Sequence, residues 1–250
     1  LSYGSEGILF DCGEGTQKQF KLAGISPFAL TKILITHWHG DHILGLPGLF
    51  QTLGMLNYNK KLKVYGPKGT ENKIHLIKNL VNIEIPLEIH EVENNTIQDN
   101  EFQIEASSMS HTTHCNAYSF ILKEKRRLDK NKIKKHKLPN SSILGQLQQG
   151  KDVVHNGKKI KASQVSYLEE GKKITFILDT AFNQNAIELA KNSDLLIIES
   201  SFSENEKSQA NKFRHLTAID AATIAKKAKV KRLILTHISQ RYEYNLSKLL

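Results

Sequence analysis

Between Thr36 and His42 the chain reads Thr-His-Trp-His-Gly-Asp-His, which sets four metal-ligating side chains, His37, His39, Asp41 and His42, within six residues. Imidazole nitrogen and carboxylate oxygen are donors that zinc prefers. A lone histidine is more often structural, whereas four donors at this spacing point to a metal. The residues ahead of them, Lys32-Ile33-Leu34-Ile35-Thr36, have the β-rich, apolar pattern of a buried strand. Such a strand delivers the donors on a loop anchored to rigid structure, with Gly40 expected to let the backbone fold tightly there. Six residues are too few for a full dinuclear site, so partners are sought at other strand ends. His111 follows a predicted strand, Phe102–Met109, and Asp179 ends another, Thr175–Leu178. His237 ends a third, Arg232–Thr236, and Glu199 closes Leu195–Ile198.

The elements that must position these residues alternate between strand and helix. Ile8-Leu9-Phe10 is an apolar run ending at Asp11, with Gly13 and Gly15 marking a turn. Ile43 to Leu56 has helical patterning, with Pro47 tolerable only in a first turn or at a break. Lys63-Val64-Tyr65 and Ala117–Leu122 are strand candidates; helices are expected near 70–80 and over Asn185–Lys191. Thr217–Ala228 should be a helix, with Thr217 as N-cap and Asp220 three positions on as in a capping box. Strands alternating with helices imply an α/β fold with its polar residues just past the strand ends.

Charge is distributed unevenly. The net charge is +10, yet residues 123–173 hold 15 Lys and Arg against 5 Asp and Glu, while the remainder holds 20 of each. The whole excess therefore lies in one fifth of the chain, the footprint of a local polyanion contact on an otherwise neutral body. No run of eighteen apolar residues and no basic-then-apolar N-terminus is present, so neither a membrane span nor a signal peptide is expected. Two cysteines, Cys12 and Cys115, are too few for a disulfide framework and point to a reducing, cytoplasmic setting.

Three segments carry a family resemblance. His37-Trp38-His39-Gly40-Asp41-His42 matches the HxHxDH signature of the metallo-β-lactamase superfamily. Phe10-Asp11-Cys12-Gly13-Glu14-Gly15-Thr16-Gln17 resembles the FDCGEGTQ segment of the ribonuclease Z family, and Leu235–Tyr242 resembles that family's LTHxSxRY segment. The resemblance implies a four-layer αββα sandwich over residues 1–250, apparently truncated at both ends, with an inserted basic tRNA-binding arm at 123–173. It assigns His37, His39 and His111 to one of two zinc ions per subunit and Asp41, His42 and His237 to the other. Asp179 would bridge them, and Asp41 would also orient the attacking water. His215, in Arg214-His215-Leu216-Thr217, corresponds to the family's proton donor, and Glu199 to the residue that orients it.

The implied activity is hydrolysis of precursor tRNA at its 3′ trailer by a homodimer. In the arm, Pro139, Gly145 and Gly150 are expected to supply the turns of a flexible Pro/Gly-rich tip. Leu178, Ala117 and Leu216 depart from the family's usual glycine, glycine and serine, without removing a ligand. The alternative is another metallo-β-lactamase-fold hydrolase, acting on small esters or thioesters, which predicts neither the basic segment nor the His215–Glu199 pair.

Overall fold

In the computed structural model, which describes residues 1–82 and 84–249, the N-terminal apolar runs form a five-stranded sheet. Its strands are β1 (Ser2–Tyr3), β2 (Glu6–Phe10), β3 (Lys32–Leu34), β4 (Leu62–Gly66) and β5 (Leu87–Glu91), bonded in that order. β1 and β2 make an antiparallel hairpin, and β2 through β5 run parallel. Parallel neighbours require crossovers, and these carry the helices Thr16–Leu22, Leu46–Met55 and Thr70–Val81. Phe20, Leu49, Phe50, Leu53 and Ile74 from the helices share a core with Ile33, Ile35 and Val64 of the sheet side.

The chain continues through β6 (Thr96–Gln98), β7 (Phe102–Met109) and β8 (Cys115–Leu122), then through a segment containing β9 (Lys125–Leu128), β10 (Val153–His155), β11 (Lys158–Ile160) and β12 (Ser166–Glu169). It returns as β13 (Lys172–Ile177), β14 (Leu195–Glu199) and β15 (Leu233–Thr236), completing a six-stranded sheet of order β15-β14-β13-β8-β7-β6. The two sheets meet through aromatic rings: Phe10 stacks on Phe176 with centroids 3.6 Å apart, and the Tyr118 hydroxyl donates to the Ile35 carbonyl at 2.7 Å. Helices Gln184–Ala190 and Ala218–Lys227 cover the second sheet, burying Ala186, Leu189, Ala221 and Ile224 with Ile177, Leu196 and Ile198. This is the expected helix–sheet–sheet–helix sandwich.

The helix expected over Ile43 to Leu56 is two, Gly40–Ile43 and Leu46–Met55. The break falls at Leu44-Gly45, and Pro47 sits in the first turn of the second helix, where its missing N–H costs nothing. Thr217 caps Ala218–Lys227 as expected: its hydroxyl accepts from the Asp220 N–H, and the Asp220 carboxylate accepts from the Thr217 N–H, both at 3.1 Å.

Two compact units emerge, a body of residues 1–98, 104–120 and 173–250 and a smaller unit of 99–103 and 121–172. The smaller unit has antiparallel pairs β9–β12 and β10–β11, three short helices and its own core of Leu138, Leu147, Val153, Ile160, Ala162 and Val165. Its expected Pro/Gly-rich tip is largely helical over Ser142–Gln148. Gly145 lies inside that helix and makes no turn, because burial of Leu147 draws the segment onto the small core. Gly150, at φ 83°, does turn the chain after it. Lys132, Lys134, Lys135 and Lys137 all remain exposed. Among the described residues no helix is long and apolar enough to cross a membrane.

Candidate metal centre and active site

Both sheets bring polar side chains to the C-terminal ends of their strands. Asp11 follows β2, His37 comes shortly after β3, His111 after β7 and Asp179 after β13; Glu199 ends β14 and His237 follows β15. The seven expected ligands converge there. His37 Nε2 and His111 Nε2 lie 2.9 and 3.2 Å from His39 Nδ1, and 3.6 and 3.7 Å from Asp179 Oδ2. The other carboxylate oxygen, Oδ1, lies 3.4 Å from His42 Nε2 and 3.2 Å from His237 Nε2. Asp41 Oδ2 is 3.5 Å from the first of these nitrogens and 3.6 Å from the second. Asp179 thus stands between two groups of donors, with one oxygen toward each.

The donor chemistry fits cations. His42 Nε2 and Asp179 Oδ1 are buried, and neither has a hydrogen-bond partner among the described residues. Buried polar atoms without a partner are costly, and a bound metal ion would satisfy both. Burial, helped by the neighbouring His42, pushes the His37 imidazole pKa down to about 2 and keeps the ring in its neutral, ligating form. Burial also lowers that of His111, more strongly than its hydrogen bond to the Arg214 carbonyl raises it. For Asp179, burial favours the neutral acid, but the His42 imidazole 3.4 Å away and the other surrounding imidazoles hold the carboxyl well below the usual range.

Asp11 is a site residue that the sequence motifs did not assign. Its Oδ1 accepts from the Thr36 N–H at 2.6 Å; its Oδ2 accepts from the Thr36 hydroxyl and lies 2.6 Å from His42 Nδ1. With its oxygens so engaged, Asp11 suits orienting His42 better than binding a cation, and it directs His42 Nε2 toward Asp179. Burial opposes charge on His42, yet the bond to Asp11 and the nearby Asp179 carboxylate outweigh it and, with no cation bound, raise its pKa to about 10. The signal was present in the sequence, since Ile8-Leu9-Phe10 ends at Asp11 as the other strands end at their donors.

The loop that follows Asp11 clasps the metal-ligand loop. Cys12 N–H donates to the His42 carbonyl at 2.7 Å, and Gly45 N–H donates to the Cys12 carbonyl at 2.9 Å. A Cβ on Gly13 would lie 2.2 Å from the Asp41 carbonyl oxygen, and one on Gly45 would lie 2.2 Å from that of Gly13. Close backbone approach therefore requires glycine at 13 and 45. Gly40 has no such role: a Cβ there would meet only the Leu44 side chain, at 3.1 Å.

His215 and Glu199 come together beside this cluster. His215 Nδ1 is 3.1 Å from both Glu199 oxygens, and its Nε2 is 4.0 Å from Asp179 Oδ2. Glu199 is held in turn by the Thr180 N–H and the Ser201 hydroxyl, each at 2.7 Å. Burial works against charge on His215, but the hydrogen bond and charge of Glu199 prevail and raise its pKa. The departure at Leu216 has a packing reason, since that side chain is fully buried in the core under Ala218–Lys227. Cys12 and Cys115 are both buried free thiols, and burial pushes the Cys12 thiol up to about 12, leaving it inert as a nucleophile.

Residues 2–114 match the metallo-beta-lactamase superfamily. The chain is 37% identical over 248 residues to the ribonuclease Z of Nanoarchaeum equitans, covering 98% of this chain and 78% of that protein. The chain belongs to the ribonuclease Z family. The ribonuclease Z of Methanothermobacter thermautotrophicus is also 37% identical, over 94% of this chain and 78% of its own length. Human tRNase Z, short form, shares the fold at a TM-score of 0.70 and 26% identity, over 96% of this chain and 85% of that one. The likeness to these ribonucleases spans both sheets and so includes the segments that carry Asp179, Glu199, His215 and His237.

Proposed function

We propose that this chain is a dinuclear zinc endoribonuclease that removes the 3′ trailer from precursor tRNA, leaving a 3′-hydroxyl on the tRNA and a 5′-phosphate on the trailer. The observation that carries the reading is the Asp179 carboxylate, with Oδ2 within 3.7 Å of His37 and His111 and Oδ1 within 3.4 Å of His42 and His237. In this reading His37, His39 and His111 hold one zinc, Asp41, His42 and His237 hold the second, and Asp179 serves both. Two bound ions supply Lewis acidity to the phosphodiester and lower the pKa of water from 15.7 to about 7.

The protein's own groups do the rest. Asp41, whose side chain is 66% exposed and lines the cavity over the cluster, accepts the proton of the attacking water and orients it. His215 donates from Nε2 to the departing 3′ oxygen while Glu199 holds its Nδ1. The Glu199 carboxylate raises the His215 pKa against burial, the direction that favours the protonated form a general acid needs.

The family name and the likeness to human tRNase Z support a tRNA substrate. So does the basic surplus of residues 123–173, since phosphate contacts supply most of the affinity for RNA irrespective of sequence. We assign that segment to tRNA binding, and the protein to a cytoplasmic homodimer, as the family resemblance implies. Incubation with a precursor tRNA, followed by mapping of the cut and its end groups, tests the reading. The expected products are a tRNA 3′-hydroxyl and a trailer 5′-phosphate; a 2′,3′-cyclic phosphate overturns it.

A further inference from the structure

The cavity over the His/Asp cluster, about 500 Å³, has an apolar wall as well as a polar one, and two phenylalanines line it. Their surroundings differ. Phe202 is buried, with the His215 ring 6.0 Å from its centroid and the Arg241 guanidinium 5.1 Å from it. It supports the site from within. Phe213 is 49% exposed and ends the helix Lys207–Phe213.

A half-exposed phenylalanine is unremarkable on a surface, but this one is held on both sides. The helix fixes it from before. After it, Arg214 takes a left-handed turn at φ 57°, its guanidinium donates to the His111 carbonyl at 2.6 Å, and its own carbonyl is 3.1 Å from His111 Nδ1. The next residue is His215. Lys212 adds a cation, with Nζ 5.6 Å from the Phe213 ring centroid. Phe213 therefore offers the cavity a flat ring at a fixed place, with a positive charge beside it, close in the chain to the group that faces the leaving oxygen.

We propose that Phe213 is the stacking platform for the base of the nucleotide whose 3′ oxygen departs, with Lys212 beside it for that strand's phosphate. The inference rests on the reading of the substrate as RNA cut at an unpaired 3′ extension. The ribose that carries the leaving oxygen must lie against His215 Nε2, so its base falls within the cavity that Phe213 lines. Unpaired RNA bases are held in this way, by stacking on aromatic rings with cations tracking the backbone.

The test uses the full-length protein and two matched precursor tRNAs, one normal and one abasic at the nucleotide just 5′ of the cut. Phe213→Ala and Phe213→Leu should each lower kcat/KM on the normal precursor by roughly 5- to 150-fold, mostly through KM. Phe213→Trp should retain the parental value. On the abasic precursor the parent should fall to the level of the Ala and Leu proteins, and all four should converge. The inference is overturned if Phe213→Leu matches the parent on the normal precursor, or if Ala and Leu lose as much on the abasic precursor as on the normal one. A parent that cuts neither precursor overturns the ribonuclease reading itself, a result distinct from any ranking among the variants.

Discussion

At the scale of single residues, the proposed centre depends on groups outside its seven candidate ligands. Asp11 combines a left-handed backbone, φ 55°, with three close polar contacts, to Thr36 twice and to His42. Non-glycine residues pay for that conformation unless the surroundings enforce it, and Asp and Asn tolerate it best. His237, at φ 52°, stands in the same region, with its Nδ1 3.0 Å from the Ser201 hydroxyl. Carboxylates behind ligating imidazoles fix ring orientation and tautomer, and their loss typically costs about 10–100-fold in metal affinity. Asp11→Asn keeps the backbone preference and removes the charge. We expect it to weaken zinc binding by roughly that factor, read by competition with a chelator, while the fold persists by circular dichroism. Unchanged zinc affinity would mean that Asp11 serves only the backbone of Thr36.

At the scale of elements, the start of the first sheet is pinned by an ion pair between neighbouring parallel strands. Lys32, nearly fully buried in β3, donates to Glu6 of β2 at 2.5 Å, and the Thr31 hydroxyl donates to the same carboxylate. Burial alone would raise the Glu6 pKa, but the bonds from Lys32 and Thr31 more than offset it, and the net shift is downward. The folded state therefore releases the Glu6 proton more readily than the unfolded chain does. This stabilisation is present above the unfolded value, about 4.3, and is lost as pH falls through the lower folded value. Glu6→Gln should melt roughly 2–4 °C below the parent at pH 7. The difference should shrink below pH ~4; a gap that stays constant down to acid pH would exclude the linkage.

For the whole molecule, the division into two units separates charge from chemistry. Every His and Asp discussed at the centre belongs to the body, and the chain outside residues 123–173 carries equal numbers of acidic and basic side chains. The smaller unit has its own core around Leu147 and Val165 and carries most of the positive surplus. Replacing residues 125–172 with a short Gly/Ser linker should leave zinc content and hydrolysis of a small phosphodiester within a few-fold of the parent. Binding of precursor tRNA should weaken and lose salt dependence, by roughly 0.7–0.9 in the slope of log K against log salt for each phosphate contact removed. Unchanged affinity and slope would make the segment a bystander.

The residues proposed as metal ligands could be singled out in the sequence because each follows an apolar run closely, and a strand of period two ends where its burial ends. His37 to His42, His111, Asp179 and His237 could be proposed together on that ground and on the family resemblance. Local chemistry also sufficed for the Thr217 cap, since a capping box closes within one turn. Other features depend on what lies across space. The helix at Thr16–Leu22 buries only Phe20, and β5 is a short strand at the end of its sheet's order, so neither has a strong period of its own. The split at Leu44-Gly45 is set by the approach of the Gly13 carbonyl, and the helix at Ser142–Gln148 by a pocket for Leu147 built from residues on both sides of it. Asp11 orienting His42, and Phe213 lining one cavity with His39, Asp41 and His237, are juxtapositions of segments that only folding joins. Periodicity records which face of an element is buried; what that face meets is decided by tertiary packing.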